Sequence, residues 1–337
     1  MTRHWVRALG VLAAALVLIV VPAAGAASSA PLRLGYCGGD DWEPNTAVQG
    51  NLVYVAITHY VGDTTCDPAS GSPQAIYLQV SSNRGNTFNA PHVVWTQPVG
   101  GINYPSQADP SVAVDPSGNV YVSFLGLGAN GGHTDVIVAK STNHGASFSS
   151  AAKANAKDCK NCDHPKLIAD GANLYIAYSQ AQYHFIGLSQ DAGATWTQAT
   201  VDTTDVVGFV EGGVVDSAGN VYYVWADCQS SSCGGVPAAD YRVSKTVAGT
   251  LQTTFTNVAT GVQGPDCPFS SCGFSYWGPQ DDIAIDAAGN LYLAWQQGQV
   301  STTRKSPPIV NLSRSTDGGA TWTFMGRADD KTATGCA

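Results

Sequence analysis

Charge is scarce in this chain: Asp, Glu, Lys and Arg make up 12% of its 337 residues, and methionine occurs only 2 times. Past the N-terminal segment no apolar run approaches the ~18 residues of a membrane span, so no membrane span is expected in the mature chain. No later segment sustains the 3.6-residue apolar period of a helix, which sets aside a parallel α/β architecture. Positive charge is in deficit, with a net charge of −9. That balance argues against nucleic acid and anionic membranes as partners, since both reward Lys and Arg. What remains is rich in Gly, Ser, Thr, Val and Tyr, a composition of strands and tight turns.

The first residues, "MTRHWVRALGVLAAALVLIVVPAAGAASSA", have the parts of a secretory signal peptide. Arg3 and Arg7 form a basic start, an apolar run reaches about Val21, and "AGA" at 24–26 offers a small-residue cleavage site. Residues 1–26 are therefore expected to be removed, leaving 27–337 as a single exported domain. An uncleaved anchor is the alternative. The chain has 9 cysteines, and export favours disulfides. Three close pairs stand out, Cys159/Cys162, Cys228/Cys233 and Cys267/Cys272, with Cys37 and Cys66 as a fourth. The spacing "CKNC" also suits zinc or a redox pair, but a second CxxC is missing. Cys336 is left over.

Two patterns recur. The first is a hairpin: "AVQGNLVYVAI", "VAVDPSGNVYVSF", "LIADGANLYIAY", "VVDSAGNVYYVW" and "IAIDAAGNLYLAW", aligned on Tyr54, Tyr121, Tyr175, Tyr222 and Tyr292. Each is an apolar strand, a tight turn and an alternating strand. The second is an eight-residue box, "SSNRGNTF", "STNHGASF", "SQDAGATW" and "STDGGATW", with a worn copy "SKTVAGTL" starting at Ser244. Together they predict an all-β chain of four-stranded antiparallel units, the blades of a β-propeller, near 42–98, 109–155, 163–204, 211–262 and 281–330. In the box, Asn83, Asn143, Asp191 or Asp317 accepts backbone N–H bonds, and a glycine supplies positive φ. Phe88, Phe148, Trp196 or Trp322 packs between blades. Asp and Asn interchange among the copies, which a catalytic carboxylate would not tolerate, so the box is structural.

At these residues the chain resembles the Asp-box (BNR-repeat) proteins of the sialidase-like propeller superfamily. The resemblance covers nearly all of residues 37–330 as repeat architecture. It implies six blades where five are visible, so either a five-bladed ring or a sixth blade truncated at the C-terminus is expected. It is weak for activity, because the superfamily includes sialidases, other glycosidases, sorting receptors and assembly factors.

The boxes and the hairpin turns share one face, so longer loops gather on the other, where binding and catalysis usually live. There each innermost strand starts with an acidic residue: Glu43, Asp109, Asp163, Glu211, and Asp281/Asp282. These carboxylates are expected to ring the channel mouth. Asp109, Asp163, Glu211, Asp281 and Asp282 are the candidates for acid/base work in glycoside hydrolysis. Glu43, His59, Tyr104, His164, Tyr241, Arg242 and Trp277 are candidates for holding a ligand. The sialidase pattern of three arginines and an Arg-Ile-Pro tripeptide is not met. Two readings follow: a secreted glycan-active enzyme, or a non-catalytic propeller binding a glycan, peptide or cation. No cofactor is required; a cation among the axial carboxylates is compatible with their oxygen ligands.

Overall fold

The computed structural model describes residues 32–35, 40–60, 74–129, 134–155, 159–180, 182–203, 208–229, 238–262, 280–298 and 309–329. The chain divides into residues 1–34 and 35–337, and every described strand lies in the second unit. The expected signal peptide falls outside the described residues, as do Cys37, Cys66, Cys233, Cys267, Cys272, Trp277 and Cys336.

Five four-stranded antiparallel sheets follow one another along the chain. Blade 1 is β1 (Asp40–Gln49), β2 (Leu52–Tyr60), β3 (Gln74–Ser81) and β4 (His92–Val93). Blade 2 is β5 (Ser106–Val114), β6 (Val120–Leu127), β7 (Thr134–Ser141) and β8 (Ser150–Lys153). Blade 3 is β9 (Cys162–Asp170), β10 (Asn173–Gln180), β11 (Tyr183–Ser189) and β12 (Thr197–Thr203). Blade 4 is β13 (Gly208–Val215), β14 (Val221–Cys228), β15 (Ala238–Thr246) and β16 (Thr253–Val262). Blade 5 is β17 (Asp281–Ile285), β18 (Leu291–Gln297), β19 (Ile309–Ser315) and β20 (Thr323–Arg327). The first strands stand side by side in the order β1, β5, β9, β13, β17. Among the described residues β17 makes no comparable contact with β1, so the propeller is not closed there. No described helix is long and apolar enough to cross a membrane.

Four apolar cores lie between successive blades. Tyr54 and Leu78 meet Val122 and Phe124; Tyr121 meets Leu174 and Tyr178; Tyr175 meets Tyr223 and Trp225; Tyr222 and Tyr241 meet Leu293 and Trp295. The hairpin tyrosines at 54, 121, 175 and 222 are thus the blade-to-blade mortar, each at most 1% exposed. A buried aromatic removes roughly 150–250 Å² from water, about 4–6 kcal/mol gross at ~25 cal/mol per Å² before entropy is counted.

The boxes behave as local turn-builders. Ser141 Oγ accepts the Gly145 N–H at 2.9 Å and donates to Asn143 Oδ1 at 2.8 Å, while Asn143 Oδ1 accepts the Ser147 N–H at 3.0 Å. The same bonds recur from Ser81, Ser189 and Ser315. Asp and Asn differ in one bond only. Asp191 Oδ2 accepts the Thr195 hydroxyl at 2.6 Å, whereas Asn83 Nδ2 donates to the Thr87 hydroxyl at 2.9 Å. The hydroxyl rotates to suit either partner, so the interchange costs little. Phe148, Trp196 and Trp322 each join the core shared with the preceding blade.

The fourth box differs from its expected placement. Ser81, Ser141, Ser189 and Ser315 pair with Val53, Val120, Leu174 and Leu291, and the residue so paired in blade 4 is Thr246, opposite Val221. Ser244 lies two residues earlier, fully buried, and accepts the Trp225 indole N–H at 2.9 Å. Gly249 still supplies positive φ (68°), and its N–H reaches the Tyr175 hydroxyl of the preceding blade at 2.5 Å.

Candidate functional site

An extra residue interrupts the pairing of the first two strands in each of blades 1 to 4. The register skips between Trp42 and Asn45, Ala108 and Ser111, Asp163 and Lys166, and Val210 and Gly212. Such a bulge bends a strand and re-aims its side chains. At three of them a side-chain-bearing residue takes the left-handed conformation: Glu43 (φ 57°), Asp109 (φ 54°) and His164 (φ 50°). Each is followed by proline, in "EP", "DP" and "HP". Positive φ is uncommon outside glycine, and such strained positions gather at functional sites.

The bulges place these side chains around one cavity of about 430 Å³ on the face opposite the boxes. It is lined by Glu43, Asp109, Asp163, His164, Lys166 and Glu211, with Tyr60, Pro44 and Pro110 as its less polar wall. A second cavity of about 370 Å³ runs between the inner strands, with Asn45, Ser111, Lys166, Glu211 and Asp282 on its wall. Glu211 and Lys166 line both. Residues expected on five separate strands therefore meet along one axis.

Glu43 Oε2 accepts the Thr58 hydroxyl at 2.8 Å and the Asp109 N–H at 3.0 Å. Burial, followed by the charge of Asp109, pushes the Glu43 carboxyl up to about 7. Asp109 is raised as well, by burial first and by Asp163 beside it, although His164 works the other way. His164 Nδ1 lies 3.0 Å from Glu211 Oε1, and its Nε2 lies 3.9 Å from Asp163 Oδ1. The ring leans on Phe209, with centroids 4.6 Å apart. Burial opposes a charged imidazole, but Glu211, Asp163 and Asp109 overcome it and hold His164 up at about 9. For Glu211 burial pulls upward, and His164 together with Lys166, 3.8 Å away, outweighs it, so the carboxylate stays below its ordinary value.

Asp281 and Asp282 part company, because β17 carries no bulge. Both Asp281 carboxylate oxygens are buried without a hydrogen-bond partner. Burial, with Glu211 and Asp282 nearby, drives Asp281 far above the carboxylate range. Asp282 lines the inner cavity and lies so close to Gly212 that a Cβ there would meet its Oδ1 at 2.2 Å. Burial first raises Asp282 too.

Other expected ligand-holding residues lie away from the cavity. His59 is buried, with Nδ1 2.7 Å from Asp41 Oδ1. The Tyr104 hydroxyl donates to Asp135 Oδ2 at 2.6 Å, within the body of blade 2. Tyr241 is buried between blades 4 and 5, its hydroxyl donating to the Gln296 carbonyl at 2.5 Å. Arg242 bridges Asp202 and Asp227 and covers the Phe255 ring at 4.4 Å. Asp227 also binds the buried His184 Nε2 at 2.6 Å. Lys166 and Tyr60 line the cavity without having been singled out; "HPK" places Lys166 two residues beyond His164, the one clue available. Immediately ahead of Asp163, Cys159 and Cys162 form a disulfide, and Cys228 is also disulfide-bonded. Among the described residues Asp109, Asp163 and His164 are the group close enough to share a cation, their ligand atoms within 4.8 Å of one another.

The architecture is an all-β propeller built of four-stranded blades, and its fold is sialidase-like. The NanB sialidase of Streptococcus pneumoniae superposes with a TM-score of 0.56 at 11% identity, covering 89% of this chain and 64% of that one. A Trypanosoma rangeli sialidase in complex with the inhibitor DANA gives 0.53 at 13% identity, over 82% and 45%. A Dyadobacter fermentans protein of unknown function gives 0.53 at 12%, over 85% and 82%. The chain thus spans less than two thirds of the sialidases it matches, and at these identities the likeness is one of fold. No family model matches the chain, and no curated protein matches it by sequence.

Proposed function

We propose that this chain is an exported, carbohydrate-active propeller whose axial cavity binds a glycan and cleaves a glycosidic bond. The observation that carries this reading is the meeting of Glu43, Asp109, Asp163 and Glu211 in one cavity with opposed protonation tendencies. Glycoside hydrolysis needs one protonated carboxyl to donate to the leaving oxygen and one ionised carboxylate on the sugar. Glu43, pushed up to about 7, suits the acid. Glu211, held ionised by His164 and Lys166, suits the carboxylate partner. Export is supported by the N-terminal sequence and by the Cys159–Cys162 disulfide.

Sialic acid is a poor fit. None of the described arginines lines the cavity, and Arg242 is held by Asp202 and Asp227. The test is hydrolysis of a panel of neutral and amino aryl glycosides by the wild type, Glu43→Gln and Glu211→Gln. Each substitution should cost at least ~100-fold in kcat/KM, the usual weight of general acid–base catalysis. Turnover that survives both removes these residues from the chemistry.

The second reading, a cation held without catalysis, draws on the convergence of Asp109, Asp163 and His164. A metal would have to displace the proton that the surrounding carboxylates hold on His164. Activity indifferent to a chelator supports the hydrolase; binding of sugar that requires added calcium supports the cation.

A further inference from the structure

The axis has an excess of hydrogen-bond acceptors. An ionised carboxylate only accepts, and Glu211, held below its ordinary value, shares the cavity with the carboxyl groups of Glu43, Asp109 and Asp163 from the three preceding blades. Among the described residues the opposing cations are His164 and Lys166. Glu211 shows the shortfall most directly. Its side chain is only 9% exposed, and its Oε1 faces His164 as an ion pair without accepting a well-directed hydrogen bond. Lys166 is 3.8 Å from the other oxygen, an ion pair beyond hydrogen-bonding reach. A buried carboxylate that lines a cavity and lacks a directed donor is a place for a ligand that brings one. Asp163 faces the same cavity with 44% of its side chain exposed, open to anything that enters.

We infer that the cavity takes a sugar carrying a free amino group, a glucosamine-type unit, in preference to its N-acetylated or sialylated counterparts. This rests on the glycan reading above and narrows it. An ammonium group supplies three donors and no acceptor, the complement of the carboxylate-rich wall. An N-acetyl group replaces those donors with one N–H, removes the charge and adds a carbonyl acceptor where acceptors are already in surplus. Sialic acid brings a further carboxylate to the same wall, where none of the described arginines stands to receive it. The sugar ring has its own surface: Tyr60, Pro44 and Pro110 line the cavity beside the carboxylates. A polyol without that ring would leave this wall uncovered.

The test is calorimetric titration of the full chain, as exported, with three probes: the β-1,4-linked glucosamine disaccharide, its N,N′-diacetyl form, and sialyllactose. The free-amine disaccharide should bind at least tenfold more tightly than the diacetyl form, with no heat from sialyllactose. In Asp163→Asn, whose exposed side chain makes misfolding a remote outcome and whose fold is checked by circular dichroism, the preference should fall to within about twofold. Equal or tighter binding of the acetylated or sialylated sugar overturns the amine assignment and leaves the glycan reading standing. A preference undiminished in Asp163→Asn overturns it also. Binding of none of the three sugars takes down the glycan reading itself. A preference that appears only with added calcium and vanishes with a chelator gives the carboxylates to a cation and overturns the inference.

Discussion

Replacing Glu211 with Gln should change how the stability of this protein depends on pH. In the folded chain His164 titrates at about 9, against 6.5 for an ordinary imidazole. At about 1.4 kcal/mol per pH unit, that difference corresponds to about 3 kcal/mol. The sign follows from the protons bound: between these two values the folded state keeps a proton that the unfolded chain has released. The contribution is therefore complete below pH 6.5 and is lost as the pH rises through about 9. Burial works against the imidazolium, and Glu211 is the largest influence in its favour. Gln keeps the shape and removes the charge, leaving only Asp163 and Asp109 to hold the proton. Urea denaturation at pH 6, 7.5 and 9.5, with the His164 ring followed by NMR, reads both effects. The wild type should lose about 3 kcal/mol across this range, and the variant about 1. Its His164 midpoint should fall by more than a pH unit. An unchanged slope and midpoint in Glu211→Gln would mean that the ion pair does not set the proton's affinity, and the electrostatic account of the site would fail with it.

Three further outcomes are expected. Ser141→Ala removes one donor and the acceptor of the Gly145 N–H at a buried position; it should cost about 2–3 kcal/mol in urea denaturation, while Asn143→Asp stays within about 0.5 kcal/mol. Gly145→Ala places a Cβ 2.8 Å from Leu78 Cδ2 at a φ of 78°, so strain and overpacking together should cost about 2 kcal/mol or more and lower the melting temperature by several degrees. Replacing both Cys159 and Cys162 with Ser opens a loop of sequence separation 3, for which the chain-entropy account gives roughly 2 kcal/mol, read as a shift in the urea midpoint.

The blades were legible because two local devices repeat: an Asp/Gly/Asn hairpin turn and the hydroxyl–Asx–glycine box. A third regularity lies in the sequence. In "DPSGNVY", "DSAGNVY" and "DAAGNLY" the aspartate accepts the hydroxyl of the tyrosine six residues on, as Asp216 does from Tyr222 at 3.0 Å. The fourth box reads from Ser244 in the sequence and from Thr246 in the fold, because a slip of two preserves strand alternation and both residues satisfy the same parity. Side-chain direction at the mouth was the least legible part. His59, Tyr241 and Arg242 lie on strands and Tyr104 just ahead of β5, but proximity along the chain does not say which side of a blade each one faces. Asp281 and Asp282 looked equivalent to the other mouth carboxylates, yet β17 has no extra residue, and one buries its carboxylate where Glu211 meets open space.

Those extra residues have a further consequence. In a regular strand, what is written at one end dictates the facing of everything downstream, so altering the mouth would rotate the core. One added residue absorbs that dependency and lets the two ends of an inner strand vary independently. Positions 43, 109, 164 and 211 thus form a rewritable panel on a fixed chassis. A library drawn at those four sites from Gly, Asn, Asp and His, which tolerate positive φ, should keep the core intact while its ligand preferences disperse, making this propeller a practical starting point for selecting new binding specificities.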